Sequence, residues 1–356
     1  MIKFLRRVPI GVRAVLVLIL VLVVKSFFGS SHDGSSFTFT VANDRLFAIR
    51  SKGFYGSESG VWTTDDLGET WRVFNCPKLT RSLSGNGDVL LALTSSHEVW
   101  RREGAGEWKR LKTLLGSHHY EILCDQLGRF VVSGINSLSW HAPNGEQLRV
   151  IHSHGLDSDD VLFGKSWFAD DSQTRLLVQK DPYTIAFVDL ESGALTTWSD
   201  GLSSAPSNVS GPGRLCRSGE NFLLGHYDGV FRSSGLLEPW HLLSDEFRHT
   251  EDFLNDEFCR DLAWYDERKD QWLIATDFGI KLMENAISIK DVFADEVLVD
   301  AKRNHVAADE HDLILQIVPF HDAYFVSFAR LRNGAIGVRI PKDLGNWKTM
   351  RLTDPG

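Results

Sequence analysis

The residues of this chain best suited to chemistry lie far apart: Arg50, Tyr55, Glu58, Asp277 and Arg330. Converging guanidinium groups hold a carboxylate by paired hydrogen bonds. A tyrosine paired with a glutamate can serve as nucleophile at an anomeric carbon while a further carboxyl acts as acid and base. In those roles Arg50 and Arg330 would orient an acidic sugar, Tyr55 and Glu58 would attack it, and Asp277 would protonate the leaving group. The same positions, with Lys52, Lys180, Tyr227 and Arg332, also make a mixed-charge surface that can bind a protein or glycan without turning it over, and this second reading leads.

Other constellations carry less. His118, His119, His152 and His154 have no accompanying carboxylate spacing, and loop histidines are more often solvated than metal-bound. The run Asp157 to Asp160 lacks the glycine and bidentate glutamate of a calcium loop. Asn208-Val-Ser210 is a sequon, meaningful only if the host glycosylates exported proteins. No phosphate loop, nucleophile elbow or dinucleotide fingerprint occurs, so no cofactor and no metal is expected. The formal charge of -9 comes without a basic stripe, which sets nucleic acid aside.

Residues so dispersed can meet only on a scaffold that gathers loops. The chain has 356 residues, 43% of them hydrophobic, enough for one large β architecture or two ordinary domains. Its first 28 residues stand apart. Lys3, Arg6, Arg7 and Arg13 precede the apolar run Ala14 to Val24, a segment within the usual length of a signal-peptide core and short of the roughly 20 residues that span a bilayer. Phe27 and Phe28 extend it past a Lys25 that can snorkel, and no A-x-A site follows, so residues 1–28 read as an uncleaved anchor. Upstream cations keep the N-terminus cytoplasmic and place the rest in a periplasmic or extracellular space. A linker follows over 29–36, and one β domain fills 37–356. Cys76, Cys124, Cys216 and Cys259 show no CxxC spacing and read as buried small hydrophobes, with one disulfide left open.

The β domain is a repeat. Seven hairpins recur, from "FTFTVANDRLFAIR" to "LQIVPFHDAYFVSF", each with two apolar residues before a residue that is small in six of the seven: Ala48, Ala92, Ser133, Val178, Gly225, Ala275 and Ser327. Such a column suits strands converging on an axis. A second series of hairpins puts Trp71, Trp108, Leu148, Leu195, Trp240, Ile289 and Trp347 at spacings of 37, 40, 47, 45, 49 and 58, close to the period of four-stranded propeller blades. The expectation is a seven-bladed β-propeller.

One turn is written more fully than the rest, "TDDLGETW". Thr64, Asp66, Gly68, Thr70 and Trp71 fit the pattern Ser/Thr-x-Asp-x-Gly-x-Thr/Ser-Trp, in which the carboxylate accepts from turn amides, the glycine allows φ > 0 and the indole packs inward. Worn copies read "WRREGAGEW" and "PKDLGNW". On these residues the chain resembles the BNR/Asp-box repeat propellers, among them sialidases, sortilin-type receptors and photosystem II assembly factors. The resemblance implies that the box lies on the face opposite the ligand site. Sialidases of that group carry a Phe/Tyr-Arg-Ile-Pro segment before the first boxes; here that segment is missing, and the tripeptide "RIP", Arg339 to Pro341, sits in the last repeat. The expected function is therefore a membrane-anchored, exported propeller that binds a membrane-associated protein, or a glycan, as a scaffold or assembly module, with glycoside hydrolysis as the alternative.

Overall fold

The computed structural model describes residues 36–52, 58–114, 119–134, 137–152, 166–168, 173–181, 184–202, 214–226, 228–246, 259–266, 269–276, 279–284, 288–293, 313–329, 336–341, 343–344 and 348–350. They form seven four-stranded antiparallel sheets, each built from four consecutive strands in the order first, second, third, fourth.

Sheet one is β1 (Ser36–Ala42), β2 (Arg45–Lys52), β3 (Glu58–Thr64) and β4 (Arg72–Val73); sheet two is β5 (Thr80–Asn86), β6 (Val89–Thr94), β7 (Glu98–Glu103) and β8 (Lys109–Thr113). Sheet three is β9 (His119–Cys124), β10 (Phe130–Gly134), β11 (Ser137–His141) and β12 (Gln147–His152); sheet four is β13 (Ser166–Phe168), β14 (Arg175–Asp181), β15 (Thr184–Asp189) and β16 (Leu195–Trp198). Sheet five is β17 (Arg214–Ser218), β18 (Asn221–His226), β19 (Gly229–Ser233) and β20 (His241–Ser244); sheet six is β21 (Cys259–Asp266), β22 (Gln271–Thr276), β23 (Gly279–Glu284) and β24 (Ser288–Phe293). Sheet seven is β25 (Leu313–Phe320), β26 (Ala323–Ala329), β27 (Ile336–Pro341) and β28 (Lys348–Met350).

Burial along each sheet explains the sequence pattern. Second strands such as "VLLALT" and "FVVSG" are buried nearly throughout, because both faces are covered by neighbouring sheets and neither needs polar residues. Fourth strands such as "KRLKT" and "QLRVIH" are largely exposed. First strands of successive sheets run side by side, so they are innermost, and the sheets radiate from them as a β-propeller.

Apolar clusters fill each joint between neighbours. Phe47, Ile49, Leu83 and Leu90 join sheets one and two; Leu93, Val99, Ile122 and Phe130 join two and three. Leu138, Trp140, Leu176 and Val188 join three and four, and Trp198, Phe222 and Trp240 lie between four and five. Leu223, Cys259 and Trp272 join five and six; Leu273, Ile280, Tyr324 and Ile340 join six and seven.

The last joint closes the ring without strand exchange, since sheets one and seven are each continuous in sequence. Side chains supply the connection. The Gln316 amide takes the place of a peptide unit: Phe39 N donates to its Oε1 at 3.0 Å and its Nε2 donates to Phe39 O at 3.0 Å. Around this bond pack Phe39, Ala48, Phe320 and Phe325, with Trp71 from the turn after β3; the Trp71 ring lies 6.3 Å from Phe325, edge on. Similar side-chain bonds stitch other inner strands: Ile317 N donates to Asp261 at 2.9 Å, and Cys124 N to Ser84 at 2.9 Å.

Two expectations are corrected. The fold class carried an N-terminal signal or transmembrane helix, but residues 1–35 lie outside the described residues, and among those described no helix is long and apolar enough to cross a membrane. The fold class shown is all-β. The small-residue column also does not line the axis, and it is not one column. It lies on second strands, and its members face both ways: Ala48 packs toward sheet seven and Ala92 toward sheet one, whereas Ala275 packs toward sheet seven and a Cβ on Gly225 would meet Cys259 Sγ at 2.6 Å. With a side-chain period of two, a one-residue slip in alignment sends a residue to the opposite face. All four cysteines are free thiols, Cys124 and Cys259 buried and Cys76 and Cys216 partly so.

The turn between β3 and β4 is held by its own polar groups. Thr70 N donates to Asp66 Oδ1 at 2.8 Å and Gly68 N to Thr64 Oγ1 at 2.9 Å; Gly68 sits at φ 82°, and Leu67 also takes positive φ. The bonds from Thr70 and Thr64 to the carboxylate hold the Asp66 carboxyl at about 2, against 3.8 ordinarily. A pKa lower in the folded state adds stability above the unfolded value and loses it as pH falls through the folded one. Asp66→Asn should therefore remove part of the fall in urea-unfolding midpoint between about pH 4 and 2. An unchanged acid limb in the variant would contradict this role.

Candidate partner-binding face

Two sets of turns lie on opposite sides of the ring. The first-to-second and third-to-fourth turns, including Thr64 to Trp71, occupy one side; the second-to-third connections and the links between sheets occupy the other, by antiparallel connectivity. On the latter side the connections differ in length. Those of sheets three, four, five and six span two residues, whereas sheet one leaves 53–57 between β2 and β3 and sheet seven leaves 330–335 between β26 and β27. These two long connections belong to adjoining sheets.

The β2–β3 hairpin continues in register to the pair Lys52↔Glu58, with Arg50 opposite Gly60. A Cβ on Gly60 would lie 2.5 Å from the Trp62 ring, so glycine is what lets the indole fold beneath the hairpin. Strand alternation puts Arg50 on the side of Leu46 and Ala48, which pack against Phe325 of sheet seven. Arg50, half-buried, therefore stands at the joint of sheets one and seven.

The other candidates distribute as follows. Lys52 and Glu58 are strand residues of the same hairpin and Lys180 is a strand residue of β14. Tyr55, Tyr227, Asp277, Arg330 and Arg332 lie outside the described residues. By chain position Tyr55, Arg330 and Arg332 belong to the two long connections, while Lys180, Tyr227 and Asp277 belong to sheets four, five and six. Of the sequence candidates the structure places Arg50 at the joint of sheets one and seven, with Lys52 and Glu58 on the same hairpin and Lys180 on sheet four. Among the described residues no group of three or more His, Cys, Asp or Glu side chains is placed to hold a metal ion.

Sequence reasoning passed over a second polar locus, on the side of the Thr64–Trp71 turn. Arg101 of β7 reaches across to sheet three, donating to Gly128 O at 3.1 Å and Pro143 O at 3.3 Å. Beside it, Lys112 Nζ donates to His141 Nδ1 at 3.4 Å, leaving Nε2–H to face Ser139 Oγ at 2.9 Å. His141 is buried and stacks on Phe130. The signal available beforehand was a histidine closing the otherwise apolar-patterned "SLSWH".

No protein-family model matches the chain, and no curated protein sequence matches it. Solved structures do, and the class they define is the β-propeller. The chain superimposes on YCF48 bound to a D1 peptide with a TM-score of 0.55 at 12% identity, over 86% of this chain and 93% of that one. YCF48 from Cyanidioschyzon merolae gives 0.56 at 13% identity, over 85% and 94%. Saccharomyces cerevisiae Sqt1 gives 0.59 at 16% identity, over 90% and 86%. Identities this low establish a shared fold.

Proposed function

We propose that this chain is a binding propeller that docks a protein partner at the joint of its first and last sheets, as a scaffold or assembly module. The observation that carries the reading is the concentration there of the two long second-to-third connections, one of them raised on the Lys52↔Glu58 hairpin and carrying Arg50. Rigid strands position loops well for recognition, and arginine suits bidentate pairing with carboxylates. Lys52, Tyr55, Arg330 and Arg332 complete the contact set in this proposal, with Lys180, Tyr227 and Asp277 as outlying members. A propeller solved with a peptide, YCF48 with a D1 peptide, supports the choice of a protein ligand.

The proposal includes export and anchoring through residues 1–28, for the charge and length reasons given above, which makes the partner a membrane-associated protein. Affinity capture from detergent-solubilised membranes tests it. The full-length chain should retain a stoichiometric partner that an Arg50→Ala/Arg330→Ala variant loses, with thermal unfolding unchanged. Equal recovery by both would move the site elsewhere, and release of the chain from membranes by carbonate washing would remove the anchor.

A further inference from the structure

The outermost strand of each sheet presents unpaired backbone groups to its surroundings, and a charged side chain on such an edge keeps other strands from adding to it. Five of the seven outer strands carry at least one lysine or arginine: Arg72 on β4, Lys109 on β8, Arg149 on β12, Lys290 on β24 and Lys348 on β28. β16, "LTTW", has no charged residue but exposes two threonines. β20, "HLLS", has none either, and it exposes Leu242 to 52%. Among the described residues β20 pairs with β19 and with no strand beyond it. The extra residue of that ladder, Leu243, packs into the joint with sheet six, while Leu242 stays outside.

The charge around this edge has one sign. Glu238 stands on the turn before β20 and Asp245 directly after it, both exposed and neither in an ion pair among the described residues. Asp200 of sheet four, also exposed and unpaired among them, lies alongside, its carbonyl accepting from Trp240 N at 2.8 Å. The nearby cations are already engaged: Lys281 of sheet six pairs with Glu246 at 3.6 Å, and Arg232 of β19 with Asp270 at 2.9 Å. Three carboxylates are thus left to flank an apolar strand edge. The edge is also held in place, since Trp198 Nε1 donates to Glu238 O at 2.7 Å and Ser233 Oγ to the same oxygen at 3.0 Å.

We propose that β20 is a second docking site, where an extended segment of a partner protein, alternating apolar and basic residues, adds as a fifth strand to sheet five. Its backbone pairs with the free edge of β20, an apolar side chain covers Leu242, and its cations meet Glu238, Asp245 and Asp200. In strand addition the backbone ladder supplies affinity and the side chains supply selectivity. A fixed edge limits the ordering cost of binding. The site is independent of the joint at Arg50, because sheet five adjoins neither sheet one nor sheet seven.

Fluorescence anisotropy on the detergent-solubilised full-length chain at low salt tests this with two labelled octapeptides, leucine alternating with lysine in one and with glutamine in the other. The lysine peptide should bind about tenfold more tightly, and Glu238→Gln/Asp245→Asn should bring the two within about threefold. Leu242→Lys, which places a charge on the edge, should weaken the lysine peptide about tenfold while the thermal midpoint stays within a few degrees. Thr196→Lys on β16 should change it less than about threefold. N-methylation of the central residues of the lysine peptide removes ladder donors, keeps the side chains, and should abolish binding. Undiminished binding of the methylated peptide, a preference unchanged in the carboxylate double variant, or equal losses in Leu242→Lys and Thr196→Lys would each overturn the proposal. So would a dimer of the chain, seen by light scattering, that Leu242→Lys dissociates, which would assign the edge to a second copy.

Discussion

Gln316→Leu is expected to weaken the propeller at one seam and to lower its unfolding free energy by about 2–4 kcal/mol, since two backbone groups of Phe39 lose their partners. Phe39 is 1% exposed and lies in the apolar cluster between sheets one and seven. Its N–H and C=O have no strand beyond β1 to pair with, because the ring closes without exchange. The Gln316 amide fills that place, and leucine of similar size cannot. Gln316→Glu separates hydrogen bonding from packing: its carboxylate still accepts from Phe39 N but faces the Phe39 carbonyl, so an intermediate loss is expected. Chemical denaturation monitored by tryptophan fluorescence reads all three proteins. A leucine variant as stable as the parent would show that the aromatic cluster alone closes the ring.

The second large effect is expected at the joint of sheets four and five. Trp198 is 2% exposed, its ring lies 4.5 Å from Trp240 and 5.1 Å from Phe222, and its Nε1–H donates to Glu238 O at 2.7 Å. It ends the outermost strand of its sheet yet reaches across to the next. Trp198→Ala should cost about 3–5 kcal/mol, the range for emptying an aromatic site in a packed core. Trp198→Phe keeps most of the apolar contact and loses the hydrogen bond, so about 1–2 kcal/mol is expected. Similar losses in the two variants would assign the effect to the bond. A loss below 1 kcal/mol for the alanine variant would mean that the joint is held elsewhere.

Much of the architecture could be read in the chain because each strand depth has its own chemistry. "VLLALT" is continuously apolar because β6 is covered on both faces, and "TDDLGETW" is a turn because its side chains satisfy the backbone of that turn. What escaped reading depends on parity or on distance. Ala48 and Ala275 look alike in sequence but face opposite neighbours, since aligning hairpins by composition does not fix which of two alternating faces a residue takes. The partner of Gln316 lies 277 residues away, and only its presence inside the apolar run "LILQIVPF" marks it, as a polar side chain that must find hydrogen bonds when covered. The contact of Lys112 with His141 was hidden for a similar reason. Lys112 resembles any surface lysine of an outer strand until β11 of the next sheet is laid against it. Of the candidate face, the sequence indicated loop lengths, residue types and, once the repeats are closed into a ring, that the first and last adjoin, whereas the packing of the Arg50 strand against Phe325 is visible only in the structure.

Site-specific photo-crosslinking in intact cells tests the central claim most directly, with a benzophenone amino acid replacing Tyr55 between β2 and β3 and, separately, Glu220 on the far side of the ring. A discrete adduct from position 55 that is lost with Arg50→Ala, together with none from position 220, is the expected result. An adduct from position 220 alone, or none from position 55 while the partner still co-purifies, would contradict a docking face at the joint of the first and last sheets.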